Sequence, residues 1–109
     1  MPSDAGLPPG TLVMLILRVL HAGPLHGYAI AQRIHLLSRE ELQVEEGSLY
    51  PALQKLLLKD WVTAAWTTSE TGRRVREYRR TPAGRRQLDV ELAEFRRTTT
   101  AIETLLDNA

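Results

Sequence analysis

The chain predicts a mainly α-helical fold with one small β-hairpin and a long last helix, and three observations carry this. Apolar residues recur at helical spacing in three segments between Thr11 and Asp60. Two short runs of alternating character, Trp61 to Thr67 and Val75 to Thr81, flank a turn with Gly72 near its tip. Beyond Thr81-Pro82 the apolar positions, with Thr99 filling one gap, repeat at intervals of 4, 3, 4, 3 and 4 residues, the spacing of a coiled-coil seam.

The first helix spans Thr11 to Ala22, with Leu12, Leu15, Ile16, Val19 and Leu20 on one face, and Gly23-Pro24 stops it. The second runs from about His26 to Leu37. Ile30, Ile34 and Leu37 point inward, and Gly27 at its start lets another backbone come close. The third begins near Ser48, a favoured N-cap, with Pro51 in the first turn. Leu49, Leu53, Leu56 and Leu57 form its buried stripe, leaving Ser48, Tyr50, Gln54 and Lys55 on or near the outward face. In the hairpin, Val62, Ala64 and Trp66 share one side of the first strand. Thr81 caps the final helix and Pro82 opens it.

That last helix carries Leu88, Leu92, Phe95, Thr99, Ile102 and Leu106 on its seam. About 25 residues make a rod of roughly 35–40 Å, too long for a domain of about 80 residues to cover. The seam is therefore expected to close on the same helix of a second copy. The first two turns pack back on their own domain. The division expected is a flexible arm over residues 1–10, a DNA-binding domain over 11–81 and a dimerisation helix over 82–109.

Composition narrows the class. The 109 residues, 43% hydrophobic and 25% charged, suit one globular domain. With no cysteine, disulfides, thiolate metal sites and a Cys nucleophile are excluded, which is compatible with a reducing cytoplasm. No apolar run approaches the roughly 20 residues of a membrane span, and the Pro- and Gly-rich start does not resemble a signal peptide. His26, at a helix start beside Gly27-Tyr28, is expected to be structural, and His21 and His35 at helix ends show no metal-ligand spacing. No phosphate loop or Ser–His–Asp arrangement is present, so no catalytic residue, metal or cofactor is assigned.

Charge supplies the functional signal. Residues 73–86 hold seven of the fourteen Lys and Arg against the single acid Glu77, a local net of +6 in a chain of net +1. Cationic charge segregated in this way is the footprint of a nucleic-acid binder. Three helices followed by a basic hairpin form a winged helix-turn-helix, whose third helix enters the major groove while the wing touches phosphates. Double-stranded DNA is the expected partner.

Three segments carry a resemblance. Glu46-Gly47-Ser48-Leu49-Tyr50-Pro51-Ala52-Leu53 resembles the recognition-helix signature of the PadR-type transcriptional regulators. Gly23-Pro24-Leu25-His26-Gly27-Tyr28 is similar to that family's second helix, and Trp66-Thr67-Thr68-Ser69-Glu70-Thr71-Gly72-Arg73-Arg74, running into Tyr78-Arg79-Arg80-Thr81, to its wing. The likeness covers roughly residues 11 to 106, and the single C-terminal helix matches the family's smaller subgroup. It implies a homodimeric repressor with DNA contacts at Ser48, Tyr50, Lys55, Arg73 and Arg74. It also implies a response to small aromatic or drug-like molecules and control of efflux or detoxification genes. The chain departs from the family at Asp60, where Gly is usual, and at Leu57, Glu77 and Arg80.

The DNA-binding residues expected are therefore Ser48, Tyr50, Gln54, Lys55, Arg73, Arg74 and Arg76. Ser48 is shared between capping and phosphate contact. Arg76 and Arg79 have the alternative of pairing with Glu77, and Arg85 and Arg86 of i,i+4 pairs such as that with Asp89. Arg80 either snorkels from a half-buried position or adds a phosphate contact. Trp61, Trp66 and Phe95 are expected in the core or at an interface. Phe95 either meets a flat aromatic effector across the seam or closes it dry. The competing function is a winged-helix protein–protein module with no operator, which the +6 cluster disfavours.

Overall fold

The computed structural model describes residue 7 and residues 10–109, so the expected arm over residues 1–10 lies almost wholly outside the described residues. The order is α1 (Thr11–Val19), one 3-10 turn (Leu20–Ala22), β1 (Leu25–His26), α2 (Gly27–Leu37), α3 (Glu46–Leu58), β2 (Val62–Thr68), β3 (Arg74–Arg80) and α4 (Pro82–Asn108). This is the expected winged helix-turn-helix with a long C-terminal helix.

α1 is the central post. Val13, Met14, Ile16, Leu17, Val19 and Leu20 are all buried, so its covered surface is wider than the single stripe expected, because α2, α3 and α4 all pack on it. Ile30 and Ile34 of α2, and Leu49, Leu53 and Leu56 of α3, complete the core with Val62, Tyr78 and Leu88. Leu37 is exposed instead of buried. The place beside the end of α2 is taken by Val44 and Leu42 of the following loop. That loop is tied back by His35, whose Nδ1–H donates to the Leu42 carbonyl (2.8 Å), and by Ser38, whose Oγ accepts from the Leu42 amide (3.0 Å).

α3 starts two residues earlier than expected. Glu45, in extended conformation, is its N-cap, with the Ser48 and Leu49 amides donating to the Glu45 carbonyl at 3.0 and 2.9 Å. Ser48 is thus a first-turn residue whose side chain makes no cap, and Pro51 lies in the second turn. Its missing N–H is tolerable because Gly47 and Pro51 are both exposed, which leaves the Gly47 carbonyl accessible to water. Glu46 places an acid at the positive end of the helix. The helix closes with Asp60 left-handed at φ 60. The Asp60 amide donates to Leu57 and the Trp61 amide to Leu56 (3.1 and 3.0 Å), a Schellman cap built without glycine.

The hairpin gains a third strand that the sequence pattern did not reveal. β1, two residues long, pairs antiparallel with β3 through Leu25↔Tyr78 and His26↔Glu77, giving the order β1-β3-β2. β2 and β3 pair from Val62↔Arg80 to Thr68↔Arg74. The wing is thereby stitched to the start of α2.

Candidate nucleic-acid interface

Strand register decides where the wing's arginines go. Directly opposed residues share a face, so Val62, Ala64, Trp66 and Thr68 lie with Arg80, Tyr78, Arg76 and Arg74 on the side facing the helices. Thr63 and Ala65 lie with Arg79 and Glu77 on the other. Toward the base of the wing the inner face is core, at Val62 and Tyr78. Toward the tip the helices fall away and an open groove of about 1220 Å³ appears. Its walls are the wing, the start of α2 at His26, Gly27 and Tyr28, and the start of α3 at Glu46 and Tyr50.

The groove brings Tyr50 together with Arg73, Arg74 and Arg76. Ser48, Gln54 and Lys55 do not line it. Ser48 and Lys55, seven residues apart, share one flank of α3, while Tyr50 lies on the flank toward α2. The centre of the outward face is a row of which residue-type reasoning picked out Gln54 alone: Gly47, Pro51, Gln54 and Leu58, all exposed. Their 4, 3, 4 spacing opposite Leu49, Leu53 and Leu56 was the signal that locates them.

Tyr50 is half exposed, at 45%, and its ring edge rests on α2. A Cβ on Gly27 would stand 2.8 Å from the Tyr50 hydroxyl and 3.0 Å from its ring carbon. The close neighbour of Gly27 is thus a side chain and not the backbone expected. His26 caps α2, its Nδ1 accepting from the Ala29 amide at 3.3 Å, which requires Nδ1 to be unprotonated.

Among the described residues the only ion pair joins Arg97 and Glu94. The alternative fates of the basic run, pairs of Arg76 or Arg79 with Glu77 and of Arg85 with Asp89, are not formed. Arg80 is turned inward, donating to the Leu17 carbonyl at 3.1 Å. Burial, then the nearby Arg85 and Arg18, lowers its pKa below the ordinary arginine value. Its guanidinium is thus tied to a backbone carbonyl of α1, neither reaching out to solvent nor left free for a phosphate as the two expected alternatives had it. Arg73 sits in a turn closed by Ser69, whose hydroxyl accepts the Arg73 amide at 3.2 Å. Trp66 is not core: it is 61% exposed, with the Arg74 guanidinium 5.1 Å from its ring centroid. Arg76 lies 5.9 Å from the ring of Tyr78.

On α4, Leu88 is buried and Leu92 partly so. Further along the seam Phe95, Ile102 and Leu106 are 42%, 53% and 67% exposed, and Thr99 is half-buried. Phe95 borders a hollow of about 200 Å³ between α4 and the start of α1. No helix among the described residues is long and apolar enough to cross a membrane.

A family model described as the transcriptional regulator PadR-like family matches residues 16–90. Among curated proteins, an uncharacterized 37.1 kDa protein in transposon TN4556 of Streptomyces fradiae is 45% identical over 78 residues, 72% of this chain but 21% of that protein. The chain thus spans about a fifth of that relative's length. An uncharacterized protein X of Lysinibacillus sphaericus is 26% identical over 98 residues, 90% of both chains. Among solved structures, a transcriptional regulator from Clostridium thermocellum superimposes with a TM-score of 0.79 at 27% identity, covering 87% of this chain and 92% of that one. A PadR family transcriptional regulator from Eggerthella lenta gives 0.77 at 28% identity, covering 92% and 85%.

Proposed function

The chain belongs to the transcriptional regulator PadR-like family, DNA-binding regulators without enzymatic activity, and on that premise we propose a homodimeric repressor of an inverted-repeat operator. In this proposal residues 11–81 bind DNA and α4, within 82–109, joins two copies through Leu88, Leu92, Phe95, Thr99, Ile102 and Leu106. Tyr50, Gln54, Ser48 and Lys55 meet the major groove and its edges, while Arg73, Arg74 and Arg76 meet phosphates. The dimer sets two α3 helices about 34–36 Å apart, one turn of duplex. Occlusion of the promoter represses. A small aromatic or drug-like effector stacked on Phe95 across the seam changes that spacing and releases the DNA. The protein acts in the cytoplasm.

The observation that carries this reading is the set of exposed arginines, free of carboxylate partners, on the wing wall that faces the start of α3. Unneutralised cations held in a groove attract the phosphate backbone. The apolar stripe left open along α4 supports the dimer.

The test is retention of fragments of the source genome at about 150 mM salt, with Arg73→Ala/Arg74→Ala as control. Recovery of one or a few inverted repeats, lost in the control, is expected. Uniform or absent recovery overturns the operator-binding reading and favours a protein partner.

A further inference from the structure

Trp66 is a large aromatic side chain left mostly in solvent on the wall of the groove. Packing does not account for it. β2–β3 register puts it on the same face as Arg74, one diagonal position away, and the Arg74 guanidinium lies 5.1 Å from the ring centroid, within cation–π range. We propose that Trp66 is a positioning residue that holds the Arg74 guanidinium in the groove for a phosphate of one DNA strand. This rests on the DNA-binding reading above and names a residue that reading does not use.

The chemistry distinguishes a ring from a carboxylate as the partner of a phosphate-binding arginine. A carboxylate would occupy the guanidinium's N–H fork and cancel its charge. A ring takes only the flat face and leaves the donors in the guanidinium plane free for bidentate contact with a phosphate. Arg74 has no carboxylate partner and remains exposed. The neighbouring Arg76 and Tyr78 repeat the arrangement one step nearer the core, at 5.9 Å. Arg73 lies in the turn without a ring beside it and serves as the internal contrast. Stacking also restricts a long side chain before DNA arrives, so less freedom is lost on contact.

The test uses the full chain and a fluorescein-labelled random duplex of about 30 base pairs, three helical turns. Affinity is read by anisotropy across a salt series. Arg74→Ala is expected to flatten the log–log salt slope by about one unit per protomer. Trp66→Ala is expected to weaken binding about two- to fivefold, and Trp66→Phe, which keeps a ring, to recover most of that loss. The deciding measurement is the cycle. Trp66→Ala is expected to cost nothing further in the Arg74→Ala background, and its full factor in an Arg73→Ala background. An undiminished loss in the Arg74→Ala background, or no loss in the single variant, overturns the positioning role while leaving DNA binding intact. Failure of the unaltered chain to bind the duplex even at low salt overturns the DNA-binding reading itself, and this inference with it.

Discussion

Replacing Gly84 by alanine tests how α4 is seated on the hairpin, and two physical effects there have opposite signs. In an exposed helix the exchange stabilises by about 1 kcal/mol, because glycine has the larger backbone entropy to lose. Gly84 is buried in the first turn of α4, where an added Cβ would stand 2.1 Å from the Trp61 carbonyl oxygen and 3.0 Å from its carbon. The first contact is nearly 1 Å inside any approach that Cβ atoms make, and both neighbours are backbone. Nor is the carbonyl free to retreat. It accepts the Thr81 amide at 3.1 Å, while the Thr81 hydroxyl donates to the Asp60 carbonyl at 2.8 Å and accepts the Gly84 amide at 3.0 Å. Relief must therefore shift the first turn of α4 and loosen its cap. Overpacking costs about 1–3 kcal/mol and a weakened N-cap about 1 kcal/mol, against about 1 kcal/mol of helix propensity gained. A net loss of about 1–3 kcal/mol is expected. Thermal unfolding at matched protein concentration reads it as a drop of about 4–8 °C per kcal/mol. An unchanged or raised midpoint would refute the argument that the Trp61 carbonyl limits this site.

Other outcomes are expected of the interface. Arg73→Ala/Arg74→Ala weakens binding to all sequences and flattens the salt slope by about two units per protomer, measured by anisotropy on operator and random duplexes; an unchanged slope removes the wing from phosphate contact. Tyr50→Ala lowers discrimination between operator and random DNA more than it lowers non-specific affinity, whereas equal losses reduce Tyr50 to its packing against Gly27. Leu92→Glu/Ile102→Glu sediments as a monomer, and a persisting dimer would place the interface elsewhere. The Tyr78 phenol is held above its ordinary value of 10.0, chiefly by burial and against the lowering effect of Arg76. Its protonated form therefore contributes stability that is complete below about pH 10, where the unfolded phenol titrates, and is lost as pH rises through the higher folded value. Urea unfolding at about pH 8 and about pH 11 is expected to show this decline, and Tyr78→Phe to lessen it.

The helices and the wing were legible because their signals are local: apolar period, Gly23-Pro24, Thr81-Pro82 and the Gly72 turn. What escaped depends on contacts distant in sequence. β1 has two residues, too short for any alternation to register, and exists through its bonds to β3. The early start of α3 follows from Glu45, whose extended backbone caps the helix with no side-chain bond, so the better capping residue, Ser48, was the wrong marker. Within the proposed site, the arginines of residues 73–86 were visible as a cluster, but their sorting was not. Register alone sends Arg74 and Arg76 to the groove, Arg79 to the outer face and Arg80 toward the Leu17 carbonyl. Trp66 follows the same alternation as Val62 and Ala64, and no pattern within β2 tells that the core has ended before it is reached.

That sorting also bears on how DNA would be approached. Outside residues 73–86 the other ninety-five residues carry a net charge of −5, and the exposed Glu45 and Glu46 lie at the start of α3 itself. A phosphate backbone is repelled from most of this surface and drawn to one edge of it, so the field selects orientation before any base is read. The same acids that repel phosphates can accept hydrogen bonds from the cytosine amino group in the major groove. In the proposed reading attraction and discrimination are then divided between elements, the wing supplying the salt-dependent affinity and α3, acidic at its tip, being tolerated only where its side chains meet base edges. Separating the two requires charge changes on each element in turn. Glu46→Gln is expected to raise affinity for random duplex while narrowing the margin in favour of the operator, and a uniform gain on both would assign Glu46 to repulsion alone.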